Sequence, residues 1–230
     1  MTSIQMQAAF QREWDQLENV PEFNSTDILY WLNQGVQRFI TDKFTGFYHR
    51  GLSVEQTQDI IEDLYTLVRE ELLTGAAITV GIDIPNSYII DLTSLSSNYR
   101  RKLAEEVVIS FTDALGNSIT KRQGITECTS DRYRAKIDDP FSEHKLHYNE
   151  AKPLRLFSNN VVELITDGNY SITSYYIKYI KEPAVITNTV SCDLPLHTHL
   201  IIVKLAIDAA LENLGNPRYQ THSIETKTIE

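Results

Sequence analysis

The sequence predicts an α+β fold in which N- and C-terminal helices pack as one helical unit, with an inserted antiparallel β-rich domain that is sandwich- or barrel-like. Three observations predict it. Apolar residues recur at helical spacing through residues 1–73. The period then drops towards two for about 110 residues. Residues 195–214 return to a single strongly amphipathic helical pattern. The end helices must bury their stripes, and each other is the nearest partner. The expected organisation is therefore a helical domain of residues 1–73 plus 190–217, a β-rich domain of residues 76–188, and a polar C-terminal arm of residues 218–230.

A first helix over residues 2–18 has Ile4, Ala8, Trp14 and Leu17 as apolar positions and is ended by Pro21. Asn24, Ser25 and Thr26 offer N-caps for a second. Its stripe is Ile28, Leu32, Val36, Phe39 and Ile40, widened by Trp31, Phe44 and Phe47, and Gly46 and Gly51 bracket the next turn. Ser53 and Gln56 form a capping box for a third helix, since each side chain can satisfy the other's free backbone N–H. The third stripe is Ile60, Ile61, Leu64, Leu67, Val68 and Leu72, and Gly75 stops it.

Strand character follows. Ile78, Val80, Ile82 and Ile84 alternate with polar residues ahead of Pro85, and Tyr88-Ile89-Ile90 continues the pattern. Val107–Phe111 is a further strand, which turns at Asp113–Asn117 and returns over Ser118–Thr126. Pro153–Phe157 and Val161–Ile165 flank a short connection, Ser158-Asn159-Asn160. Asp167-Gly168-Asn169 leads into the long strand-forming run Tyr170–Ile180, ended by Pro183. The closing helix begins near Pro195 and places Leu196, Leu200, Val203, Ile207, Leu211 and Leu214 every three or four residues, until Gly215-Asn216-Pro217.

The 230 residues are enough for one or two domains with a real core, and 42% hydrophobic with 23% charged is a globular balance. Formal charge is −10, with 31 acids against 21 bases. That argues against a protein that grips nucleic acid by neutralising phosphates. No apolar run approaches the roughly 18 residues of a membrane span, and the first residues lack the basic and apolar regions of a signal peptide. Cys128 and Cys192 make no disulfide framework, which fits synthesis in a reducing cytoplasm. Twelve tyrosines suit interfaces and sheet faces alike.

No segment reads as an active site. His144 and His147 have an i, i+3 spacing beside Glu143, and His197 and His199 an i, i+2 spacing near Asp193. Such imidazoles bind Zn²⁺ when a further ligand completes the site. Without a His-Glu-x-x-His or Cys-x-x-Cys motif, surface, interface or capping histidines are the simpler reading. Cys128 and Cys192 sit in no nucleophile signature and read as structural thiols. A hydrolase elbow, a phosphate loop and a dinucleotide fingerprint are absent from the sequence. Asp138-Asp139 and Glu105-Glu106 are adjacent pairs, and neighbours on a strand point to opposite faces, so neither is a ready acid/base dyad. Arg100-Arg101-Lys102 and Lys121-Arg122 read as solvated charges or as contacts between subunits. No catalytic residue, cofactor or metal is expected. An enzyme or metal-binding module using His144 and His147, and a carbohydrate-binding β module on a virion, are the competing readings.

Five segments carry a further signal: Tyr30–Gly35, Val54–Gln58, Asp131–His144, Leu164–Tyr170 and Asn216–Gln220. Their order and spacing resemble the head–tail connector ring proteins of crAss-like bacteriophages, above all the first ring below the portal, from about residue 5 to residue 221. More distantly, the helix–β–helix layout is similar to adaptor or gatekeeper proteins of short-tailed phages. The resemblance implies a non-enzymatic virion subunit at the head–tail junction, assembled in the bacterial host cytoplasm. Its implied partners are sister copies in a ring of about twelve, the portal protein, and other tail ring or tail-hub proteins. Double-stranded DNA would pass through the channel without sequence-specific binding, and no membrane partner is implied. An acidic wall fits that role, because a wall rich in Lys and Arg would hold the exiting duplex.

Overall fold

The computed structural model describes residues 1–17, 20–50, 62–113, 115–215, 218 and 222, and only the backbone of residues 45–50. The expected capping box at Ser53 and Gln56, the stripe residues Ile60 and Ile61, Gly51, Asn216 and Pro217, and the side chain of Phe47 lie outside the described residues. The fold is α+β, with helices at both ends and two sheets between them. The chain forms two compact units, Met1–Leu67 with Pro183–Glu230, and Val68–Glu182.

In the first unit, α1 (Ser3–Trp14) starts at a capping box that the sequence already contains in Thr2-Ser3-Ile4-Gln5. Gln5 N donates to Thr2 Oγ1 at 3.3 Å, and Thr2 N donates to Gln5 Oε1 at 2.9 Å. Its buried face is Ser3, Met6, Phe10 and Trp14, whereas Ile4, expected inside, is 70% exposed. Helix α2 (Ser25–Arg50) is capped by Asn24, whose Oδ1 accepts from Asp27 N at 2.9 Å. All five residues of its expected stripe are buried, and so is Phe44. The connection is closed by aromatic rings. Trp14 lies 4.8 Å from Phe23, Phe23 lies 6.2 Å from Trp31, and Trp14 Nε1 donates to Pro21 O at 2.8 Å.

Helix α4 (His199–Asn213) follows a 3-10 turn at Leu196–Thr198 and packs on both α1 and α2. It is not the amphipathic helix expected. Every residue from Leu205 to Leu211 is buried, which is more than a full turn. Leu196, Leu200 and Leu214, read as part of its stripe, are exposed. Gly35 lets α2 approach closely, since a Cβ there would lie 2.6 Å from Ile202 O and 3.0 Å from Ala206 Cβ. Two residues earlier, Asn33 clamps the returning chain. Its Oδ1 accepts from Ile186 N at 2.8 Å and its Nδ2 donates to Ile186 O at 3.0 Å.

The second unit is a two-sheet sandwich. The four-stranded sheet has the order β1 (Val68–Thr74), β9 (Tyr170–Lys181), β4 (Tyr99–Thr112), β5 (Ser118–Gly124), antiparallel throughout. The five-stranded sheet runs β2 (Ile78–Val80), β3 (Ser87–Asp91), β8 (Val161–Ile165), β7 (Leu154–Ser158), β6 (Thr126–Glu127), and only β6–β7 is parallel. Strand β1 is a correction, because Val68 and Leu72 were expected to end the third helix. The residues instead pair with β9, Val68 opposite Ile180 through Thr74 opposite Ser174. Strands β7 and β8 are joined by Asn159 and Asn160, both at positive φ (48° and 61°), the geometry of a tight hairpin turn.

Leu73, Val107, Ile109, Tyr175 and Ile177 from one sheet meet Ile90, Val162 and Leu164 from the other in a single core. A bulge makes this possible. Val108 pairs with Ser174 and Ile109 with Ile172, so Thr173 is extra and the inward parity of β9 shifts. Tyr170 and Ile172 on one side of it, and Tyr175, Ile177 and Tyr179 on the other, all end up buried. The outer face of the five-stranded sheet is covered by the short helix α3 (Tyr133–Asp138), with Tyr133 and Ile137 against Leu154, Leu156 and Ile165.

The close approach at Gly35 makes Gly35→Ala an overpacking change that costs about 1–3 kcal/mol. It should appear as a lower urea midpoint at unchanged slope. Gly124→Ala, where a Cβ meets nothing within 4 Å, should leave the midpoint in place.

Candidate assembly surfaces

The histidine pairs do not converge. His144 is buried, with Nδ1 2.9 Å from Ser142 Oγ, while His147 is exposed, with Nε2 3.3 Å from Pro140 O. Glu143 instead takes the Thr126 hydroxyl at 2.9 Å and Lys152 at 3.3 Å. His197 Nε2 lies 2.9 Å from Asp63 Oδ1, which belongs to a pair with Lys43. His199 is buried and donates from Nε2 to Leu194 O at 2.8 Å, and its Nδ1 accepts from the Met1 amine at 2.9 Å. Among the described residues, no group of three or more His, Cys, Asp or Glu is placed to hold a metal. Cys128 and Cys192 are free and half-buried, and burial pushes the Cys192 thiol up.

The adjacent carboxylates separate as strand geometry requires. Glu106 faces out and pairs with Arg122 of β5. Glu105 faces in, to an ion-pair network that links the two sheets. Arg155 of β7 brings Nε to 2.9 Å from Glu105 Oε2, Lys102 Nζ lies 2.9 Å from Oε1, and the Tyr175 hydroxyl donates to Oε2 at 2.8 Å. Arg155 Nε is not aligned for a good hydrogen bond, so its contact is an ion pair. Glu127 of β6 pairs with Lys102 and lies 3.8 Å from Arg155, and the Lys102 ammonium holds its carboxyl below the usual range. Sequence reading missed this network because it joins residues far apart in the chain. Asp139, in turn, caps a turn by accepting from Phe141 N at 2.9 Å.

The basic segments mostly have partners within the chain. Arg100 pairs with Glu182 at 3.4 Å, and Lys121 with Glu150 at 2.8 Å. The buried tyrosines of β9 are sheet-core residues. Tyr170 donates to His144 O at 2.9 Å, and Tyr179 to Glu71. Burial, then Glu71, pushes the Tyr179 hydroxyl up to about 12. Burial pulls the Glu71 carboxyl up, but hydrogen bonds from Ser96 and Tyr179 outweigh it and hold it below the ordinary value.

Surface chemistry suited to contact is spread over both units. In the second, Phe141 and Tyr148 stand exposed on the loop after α3, and Val80 and Ile82 stand exposed where β2 leaves its sheet. A groove of about 330 Å³ on the outer face of the four-stranded sheet is lined by Glu70, Leu72, Glu106, Arg122, Tyr176 and Lys178 among others. In the first unit, Leu196 and Leu200 lie one turn apart and exposed. Isolated exposed apolar residues are ordinary, but groups of them are what subunit contacts use. No helix among the described residues is long and apolar enough to cross a membrane.

Residues 1–216 match a family of crAss phage proteins described as phage tail ring protein 3/4. The chain belongs to this ring-protein family. It is a phage tail structural protein of a family that assembles as rings with other tail components. The matched span includes four of the five segments that carry the resemblance, all but Asn216–Gln220, and several of them have structural tasks. Asn33 and Gly35 fix the approach of α2 to its neighbours. Asp167 accepts from Leu146 N and Asn169 N, both at 2.9 Å, which shapes the turn into β9. A comparison with curated proteins finds no match.

Two predictions follow from the buried groups. Arg155→Met leaves buried Glu105 with Lys102 as its remaining cation and should cost less than the about 3–5 kcal/mol of a fully unpaired buried charge, part of it recovered in Glu105→Leu/Arg155→Met. Urea titration of the three proteins checks this. Burial holds the imidazoles of His144 and His199 below their usual 6.5. The unfolded chain then binds protons more readily than the fold, so stability is full above about pH 6.5 and falls as pH drops towards the lowered folded values. The urea midpoint should decrease between pH 7.5 and 5.5, and less so in His144→Gln.

Proposed function

We propose that this protein is a structural subunit of a closed ring in the stack between portal and tail, that it extends the DNA channel, and that it supports further tail proteins. The family match over residues 1–216 carries the reading. The ring has about a dozen copies, a number the resemblance implies, arranged as heterologous contacts around one axis. Such a ring needs two different complementary patches on each subunit, and the exposed apolar groups and charged sheet edges supply candidates. At −10 per chain, the ring carries on the order of a hundred negative charges, so its wall lets duplex DNA slide rather than gripping it. We read the chain as a structural part and not as an enzyme, in line with its family: His144 lies against a serine hydroxyl, His147 and His199 against backbone carbonyls, and His197 against Asp63. The resemblance implies docking directly on the portal. The family description, a tail ring numbered 3/4, supports a seat on another ring of the stack.

Electron microscopy of virions, with the ring density assigned by mass and by antibody labelling, tests the proposal. The expected result is a closed ring of this chain coaxial with the channel. A chain found single in the particle, or absent from it, overturns the reading. Stoichiometric zinc that is lost in His144→Ala would favour the metal-binding alternative.

A further inference from the structure

The four-stranded sheet ends in two free edges. Among the described residues, neither β1 nor β5 takes a further strand on its outer side. Both strands are seven residues long. An open edge is a template for another chain, and proteins that do not use one normally blunt it.

We propose that neighbouring copies in the ring join through these edges, β5 of one copy pairing antiparallel with β1 of the next. The proposal rests on the ring reading and adds where the contact lies. Direction comes first. The strands alternate β1 up, β9 down, β4 up, β5 down. A rotation about an axis lying along the strands preserves direction, so β5 meets the next copy's β1 in antiparallel sense, as at every other junction of the sheet.

Register is the second argument. Pairing all seven residues with all seven puts Gly124 opposite Val68 and Ser118 opposite Thr74. Arg122 then faces Glu70 on the outer face. Lys121 faces Glu71 and Ile119 faces Leu73 on the inner one. The faces agree, because Leu73 belongs to the sandwich core and Ile119 packs against it, while Glu70, Leu72, Thr74, Ser118, Thr120 and Arg122 are all exposed. Opposite charges directly across a pair stabilise it, and like charges do the reverse.

The same charges exclude the symmetric alternatives. Antiparallel self-pairing of β1 about its centre sets Glu71 against Glu71, and that of β5 sets Lys121 against Lys121. The edges are thus blunted against their own kind and open to each other, which a heterologous ring needs and a two-fold dimer does not. Glu70, Lys121 and Arg122 now pair with Lys178, Glu150 and Glu106, contacts at the solvent-exposed surface that can be shared or exchanged at small cost.

The test is covalent. The full-length chain carries Thr74→Cys and Ser118→Cys with Cys128→Ser and Cys192→Ser, is assembled with its tail partners, viewed by electron microscopy and mildly oxidised. Rings that give a ladder of covalent multimers up to the closed ring, with neither single cysteine giving one, are the expected result. Rings without a ladder overturn the edge pairing and leave the ring reading intact. A chain that never forms rings sinks both. A second set of variants guards against a disulfide artefact. Glu70→Arg and Arg122→Glu should each lose the ring, and the two together in one chain should restore it. Failure of the double variant to recover counts against the pairing.

Discussion

An apolar helix that has to be covered on almost every side organises the first unit. Between Leu205 and Leu211 the surface of α4 offers water nothing. One neighbouring helix would hide a stripe, not a cylinder. Both α1 and α2 are therefore drawn in from the opposite end of the chain, α2 closely enough that only a hydrogen fits at residue 35. Such a helix cannot stand alone in water, so α4 depends on α1 and α2 for its cover. The β-rich unit, Val68–Glu182, is inserted in the sequence between the segments that form this packing.

The second unit solves a different problem. Its sandwich core is ordinary, but polar and charged groups reach into it from several strands, and each has to be answered. Glu105 meets Arg155, Lys102 and a tyrosine hydroxyl; Glu71 meets Ser96 and Tyr179; Tyr170 meets a backbone carbonyl. Replacing such groups by apolar ones is often neutral for stability. What they add is register, because an ion pair between strands of different sheets is satisfied in one alignment only. For a part repeated around a ring, where small angular errors accumulate, a rigid and uniquely registered sheet has evident value.

Fold class was legible in the sequence because the strongest periodic signals were true ones. The stripe from Ile28 to Ile40, the Asn159-Asn160 hairpin and the β-rich run from Tyr170 all reappear in the structure. The failures have physical causes. Val68–Thr74 continues the spacing of Leu64 and Leu67, so it read as helix. Its strand period was hidden, since Arg69 and Glu71 share the inward side with Leu73, and charges are not expected there. On α1, Ile4 and Met6 were equally apolar, and only the tertiary partner decides which one is covered. The Glu105–Arg155 link could not be read at all, because no local pattern connects β4 to β7. The free sheet edges were equally silent, because which strands lie outermost is a property of topology.

One polar contact in the first unit reaches past the family's own boundary. Asp208 is buried on α4, and its carboxylate is met by His222, with Nδ1 2.6 Å from Oδ1. The family match stops at residue 216, short of that histidine. A protein trimmed to the matched span would leave that carboxylate in an apolar interior without its histidine, where an uncompensated charge is costly. The domain as evolution counts it and the domain as electrostatics closes it therefore end at different residues.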